Sequence, residues 1–170
     1  MKPLCIFLPL FFVFACAAQE TCLSGLQNAP ALRGLKLGSS PAEALRVFGK
    51  DLKIKNKRRG EYTFFQNFIE KPAPDSLAGI RALYLRFFDG ALYQIEIFYE
   101  DSTPPLTLEN FVDRQSARLN LPREAWKIKY GIAGINCGDF SLAADAFLNP
   151  RLQLTDETTL ARVEAKRKKD

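Results

Sequence analysis

The clearest alternation of apolar and polar side chains runs from Ile80 to Tyr99. Ile80 to Phe87 and Ala91 to Tyr99 each read as a strand, because a period of two suits a sheet with one buried face. Phe88-Asp89-Gly90 stands between them. A plain two-residue Asp89-Gly90 turn would pair Leu85 with Gln94 and Leu83 with Glu96, mixing apolar and polar residues on each face. A three-residue loop with a left-handed Gly90 pairs Leu85 with Tyr93 and Leu83 with Ile95. That register keeps one face apolar and is the expected one. It sends Leu83, Leu85, Tyr93, Ile95 and Ile97 to the core. Tyr84, Arg86, Leu92, Gln94, Glu96 and Phe98 then share the opposite face, with Tyr84 across from Gln94 and Arg86 across from Leu92.

Helical spacing marks two further segments. Ser40 is a good N-cap, Pro41 fits the first helical position, and Glu43 completes a capping box. Ala44, Leu45 and Phe48 form the apolar stripe, and Gly49 ends it. A second helix starts after Pro104-Pro105, at Thr107, with Leu106 and Phe111 placed as a hydrophobic staple and Pro122 as the stop. Other strands are expected at Tyr62–Ile69, Trp126–Asn136, Phe140–Leu148 and Arg151–Thr155. Residues 19–34 read as a polar lead-in and 50–60 as a basic connector. From Asp156 the chain reads as a short charged helix. The order is a helix and three strands, occurring twice. Short turns imply antiparallel pairing, so the expected class is α+β: two layers, an antiparallel sheet with helices on one face.

The N-terminus changes the picture of where this domain works. Met1-Lys2, an apolar run from Leu4 to Phe14 and Ala15-Cys16-Ala17-Ala18 follow the order of a secretory signal. The run is shorter than the roughly 20 residues of a membrane span. Two processings fit: cleavage after Ala17 or Ala18, or a lipobox at Val13-Phe14-Ala15-Cys16 in which Cys16 is acylated. The chain is thus expected to be exported, periplasmic or secreted, or lipid-anchored through Cys16. Residues 1–18 are the signal, 19–155 one α+β domain and 156–170 a charged tail.

Composition narrows the chemistry. Of four cysteines, Cys5 and Cys16 belong to the signal region. Cys22 and Cys137 remain, and in an oxidising compartment they predict one disulfide, with two buried free thiols as the alternative. Histidine is absent, which removes Ser-His-Asp and Cys-His catalysis and His-ligated zinc. The net charge of +5 is a mild excess. Fourteen Phe and five Tyr point to a β-rich core.

The stretch from Gly34 to Gly49, followed by Phe87-Phe88-Asp89-Gly90-Ala91-Leu92, resembles small exported bacterial domains of the β-lactamase-inhibitor-protein type. It is also similar to the outer-membrane assembly lipoproteins that share their helix-plus-sheet unit. Gly38, Glu43 and Gly49 carry the match, while Ser39 stands where those families use Met or Thr. The resemblance covers about 60 residues. It implies the fold, a bacterial source, and action by binding other proteins through the sheet rather than by catalysis.

Glu96, Glu100 and Asp101 crowd the end of one strand, yet a solvated edge accounts for them better than a glycosidase pair. Trp126 is expected in the core. Lys53, Lys55, Lys57, Arg58 and Arg59 form a candidate anion patch for lipid phosphates or acidic polysaccharide, or a solvated basic loop. Nucleic acid is disfavoured, since no aromatics interleave these cations. No cofactor or metal is expected. The reading is a non-enzymatic protein-binding module of the envelope or the exterior, with Tyr84, Arg86, Leu92, Gln94, Glu96 and Phe98 as its partner face. A small carboxylate-dependent hydrolase is the alternative.

Overall fold

Helix α1 (Pro41–Phe48) forms where its cap dictates. The Ser40 hydroxyl accepts from the Glu43 amide at 3.3 Å, and the Glu43 carboxylate accepts from the Ser40 amide at 2.7 Å. Those hydrogen bonds hold the Glu43 carboxyl below the usual carboxylate range. The computed structural model describes residues 25–49, 53–58, 60–69, 77–100, 106–147 and 149–169, with 53–58 described in backbone only. The signal-like residues 1–18, Cys16, Cys22 and Asp101 lie outside them.

Four strands follow α1: β1 (Lys53–Arg58), β2 (Glu61–Asn67), β3 (Ile80–Phe88) and β4 (Ala91–Tyr99). Helix α2 (Leu108–Leu119) is capped by Thr107, whose hydroxyl accepts from the Asn110 amide, and ends at a left-handed Asn120. Four more strands come next: β5 (Lys127–Lys129), β6 (Ile132–Asn136), β7 (Phe140–Asp145) and β8 (Arg151–Asp156). Helix α3 (Glu157–Lys168) closes the described chain. The unit is therefore a helix and four strands, twice.

The strands form one antiparallel sheet in the order β1-β2-β3-β4-β8-β7-β6-β5. The fold is α+β, an antiparallel sheet with helices packed on one face, as expected, and the sheet is not closed into a barrel. Each unit is a meander, and the two meet where their last strands pair, from Gln94 opposite Thr155 to Phe98 opposite Arg151. The helices α1 and α2 pack on one face, burying Ala44, Phe48, Phe111 and Val112 against Leu83, Leu85, Ile95, Ile97, Leu152 and Leu154. Trp126 lies in this core, as its type suggested.

The structure corrects several expectations. The basic connector is strand β1, which pairs with β2 and leaves Lys55 bulged between Ile54 and Asn56. An edge strand needs a partner on one side only and tolerates charge, so hydrophobic alternation does not reveal it. The single strand expected at Trp126–Asn136 is a hairpin, turning at Tyr130-Gly131 where both residues have positive φ. The polar lead-in is not peripheral: its Ala29 and Leu32 are buried in the core, and Leu32 exchanges backbone hydrogen bonds with the equally buried Leu35 just beyond it. The Cys22–Cys137 disulfide is not a feature of the described fold. Cys137 is the single cysteine among the described residues, and no cysteine pair stands at bonding distance within them. Cys137 itself is buried and is not a free thiol.

The β3–β4 hairpin also differs. Phe88 pairs with Ala91 around a two-residue Asp89-Gly90 turn, both residues having positive φ. Phe87 then pairs with Leu92 but Arg86 with Gln94, so Tyr93 is an extra, bulged residue. The bulge shifts the remaining strand by one place. Leu85 meets Ile95 and Leu83 meets Ile97, which preserves the apolar face that the plain turn would have spoiled. Tyr93 accordingly leaves the main core. It packs with Phe88, Val163 and Leu160 in a second cluster beneath α3.

That cluster fixes the tail helix. Tyr93 donates to Glu61 at 2.9 Å, and Arg167 also bonds Glu61. Arg162 and Lys166 lie over the Phe88 ring at 5.3 and 5.1 Å. Burial, then the hydrogen bond and charge of Glu61, push the Tyr93 phenol up from 10.0 to about 12. The folded state thus holds the proton more tightly than the unfolded chain. The resulting stabilisation is present below about pH 10 and is lost as pH rises toward 12. Tyr93→Phe should remove the latest step from the tyrosinate absorbance titration, and wild type should lose stability faster than the variant above pH 10. Superimposable titrations would contradict this.

Candidate functional site

The opposite face of the sheet is built from residues that alternate with the core positions. It has three rows. An aromatic row crosses β2, β3 and β4. The Phe65 and Tyr84 rings lie 4.4 Å apart and tilted, and Tyr84 meets Phe98 edge-on at 5.7 Å. Phe65 pairs with Tyr84 in the sheet, so the first contact is a direct cross-strand pair.

A charged row crosses β3, β4, β8 and β7. Glu96 is buried, yet it lies 3.5 Å from Arg86 and 3.0 Å from Arg151. Arg151 continues to Asp145 at 2.7 and 2.8 Å. Burial pulls the Arg151 guanidinium pKa down, but Asp145 and Glu96 outweigh it and leave the pKa above the ordinary arginine value. The third row is neutral. Arg86 donates to Gln94, Gln94 donates to Thr155 at 3.0 Å, and Gln153 donates to the same hydroxyl at 3.1 Å. All of these side chains stand on strands, and two rows cross the β4–β8 pair, so their geometry is held by backbone ladders.

Five of the six residues expected on the partner face are here: Tyr84, Arg86, Gln94, Glu96 and Phe98. Leu92 is not. It is 1% exposed and belongs to the main core. The bulge at Tyr93 reverses its side, which also places Tyr84 opposite Glu96 and Arg86 opposite Gln94. Phe65, Asp145, Arg151, Gln153 and Thr155 complete the face. Their own strands show the necessary alternation, but the sequence does not reveal that β8 lies beside β4.

The other candidates do not converge. Glu96 is held between two arginines, whereas Glu100 is exposed beyond the end of β4. Lys53, Lys55, Lys57 and Arg58 lie on edge strand β1; their side chains and Arg59 fall outside the description. Among the described residues no group of three or more His, Cys, Asp or Glu is placed to hold a metal ion. No described helix is long and apolar enough to cross a membrane.

Removing the central carboxylate leaves two guanidinium groups facing each other. Arg86 and Arg151 are 34% and 32% exposed, so water screens part of the loss. Glu96→Ala should cost roughly 1–3 kcal/mol in urea unfolding, and Glu96→Ala combined with Arg151→Ala should cost less than the sum of the single changes. Strict additivity would show that the row does not act as a unit.

No family model, curated protein or solved structure matches this chain.

Proposed function

We propose that this chain is a non-enzymatic, exported protein-binding module, working in the cell envelope or outside the cell, that presents the open face of its sheet to a protein partner. The observation that carries this reading is the half-buried Phe65–Tyr84–Phe98 row lying beside the Arg86–Glu96–Arg151–Asp145 row. Aromatic rings and arginines are the residue types that carry energy in protein interfaces. Their placement on paired strands reduces the ordering that binding would otherwise have to supply. The signal-like N-terminus supports export, by cleavage or with an anchor at Cys16. The motif resemblance to inhibitor-type domains supports recognition through the sheet. The hydrolase alternative loses support because Glu96 is engaged with two arginines.

The processed protein should capture a partner from envelope extract, and that partner should then be titrated with purified variants. Tyr84→Ala with Phe98→Ala is expected to weaken binding by about tenfold or more while leaving cooperative unfolding intact. Equal affinity would overturn the reading. Should the double variant lose cooperative unfolding, Arg86→Ala provides the second test, with the same expected direction.

A further inference from the structure

The large apolar side chains exposed among the described residues gather at one end of the sheet. Antiparallel register places the β5–β6 turn, the β7–β8 loop and the end of β2 on the same side, since Ala133 pairs with Ala144 and Asp145 with Arg151. Tyr130 in that turn is 92% exposed and Phe147 in that loop 91%. Ile128 and Ile132 flank Tyr130, and Ile69 follows the end of β2. Adjacent strands lie about 4.8 Å apart, so Tyr130 and Phe147 project from neighbouring connections.

Two features say what these rings meet. Tyr130 has φ 53, a conformation that a bulky side chain rarely adopts and that Asn or Gly would satisfy without strain. The turn nonetheless places a large amphipathic ring at its tip. Lys127 and Lys129 precede it on β5, both exposed, the Lys127 ammonium donating to the Glu124 carbonyl at 3.3 Å and the Lys129 ammonium lying 5.1 Å from the Tyr130 ring. Of the described carboxylates around this end, Asp145 is paired with Arg151, the exposed Glu100 follows β4, three strands from β6, and the exposed Glu124 precedes β5, away from the turn. Protruding aromatic and aliphatic tips with lysines behind them match an anionic bilayer surface. There rings seat at the headgroup level and ammonium groups meet lipid phosphates.

We propose that this end of the sheet docks on an anionic lipid surface, with Tyr130 and Phe147 inserting and Lys127 and Lys129 engaging headgroup phosphates. This surface is separate from the partner face, which lies on the flat of the sheet. The test is co-sedimentation of the processed protein with vesicles of phosphatidylcholine alone and of phosphatidylcholine with phosphatidylglycerol. Wild type should bind the anionic vesicles more tightly, and salt should weaken that binding. Tyr130→Ser with Phe147→Ser should reduce partitioning by roughly tenfold or more. Lys127→Glu with Lys129→Glu should abolish the preference for phosphatidylglycerol. Both residues of the first pair are almost fully exposed, so the unfolding midpoint should not move. Equal binding by wild type and the serine variant would overturn the proposal. So would no binding to anionic vesicles, or a dimer in solution that the serine changes dissolve, which would make this end a contact between two copies. An acyl anchor at Cys16 would bind vesicles of either composition and would not respond to these substitutions.

Discussion

The pairing of β4 with β8 is the constraint on which the rest of the structure depends. Each helix-and-four-strand unit ends in a strand whose outer edge would otherwise present unpaired backbone groups. Joining the two edges makes one sheet of eight strands and one continuous core. On the helix-covered side, Ile95, Ile97, Leu152 and Leu154 meet across the seam, all fully buried or nearly so. On the other side the same strands align Gln94, Glu96, Arg151 and Thr155 into rows of hydrogen bonds and ion pairs. The dry contacts supply area removed from water, and the polar ones fix the register, because a one-residue slip would turn each set to the wrong side.

Function follows from which parts of that sheet are covered. Helices α1 and α2 bury one face. Helix α3 runs from Ser141 on β7, where Glu157 bonds it, to Glu61 on β2, where Arg167 bonds it. It therefore lies across one end of the second face, over Phe88 and Tyr93. The aromatic and charged rows lie further along the strands. The exposed tips of Tyr130 and Phe147 mark the end away from α3. A protein partner on the flat of the sheet and a lipid surface at its free end would thus be reached by different sides of one sheet.

Much of this fold is legible in the sequence. Ser40, Pro41, Glu43 and Gly49 specify α1 through local hydrogen bonds, and the Ile80–Tyr99 alternation specifies β3 and β4. The failures have physical causes. Alternation alone points to a longer loop that keeps the hairpin's apolar face, whereas the chain keeps it with a tight turn and a bulge. Both solutions insert one residue, but they send Leu92 and Tyr93 to opposite sides. Strand β1 carries no alternation because its charge reflects its edge position. The candidate face was legible for the residues of β3 and β4. Phe65, Arg151 and Asp145 were not, since strand order is set by tertiary packing and leaves no local signal.

Native-state hydrogen exchange across the β4–β8 seam tests the central claim most directly. If the seam joins the two units into one cooperative body, the amides that pair β4 with β8 should exchange only through global unfolding, with the same dependence on denaturant as the core of each unit. Seam amides that exchange through a smaller opening, while β2–β3 and β6–β7 stay protected, would show two units merely laid side by side and would contradict the account.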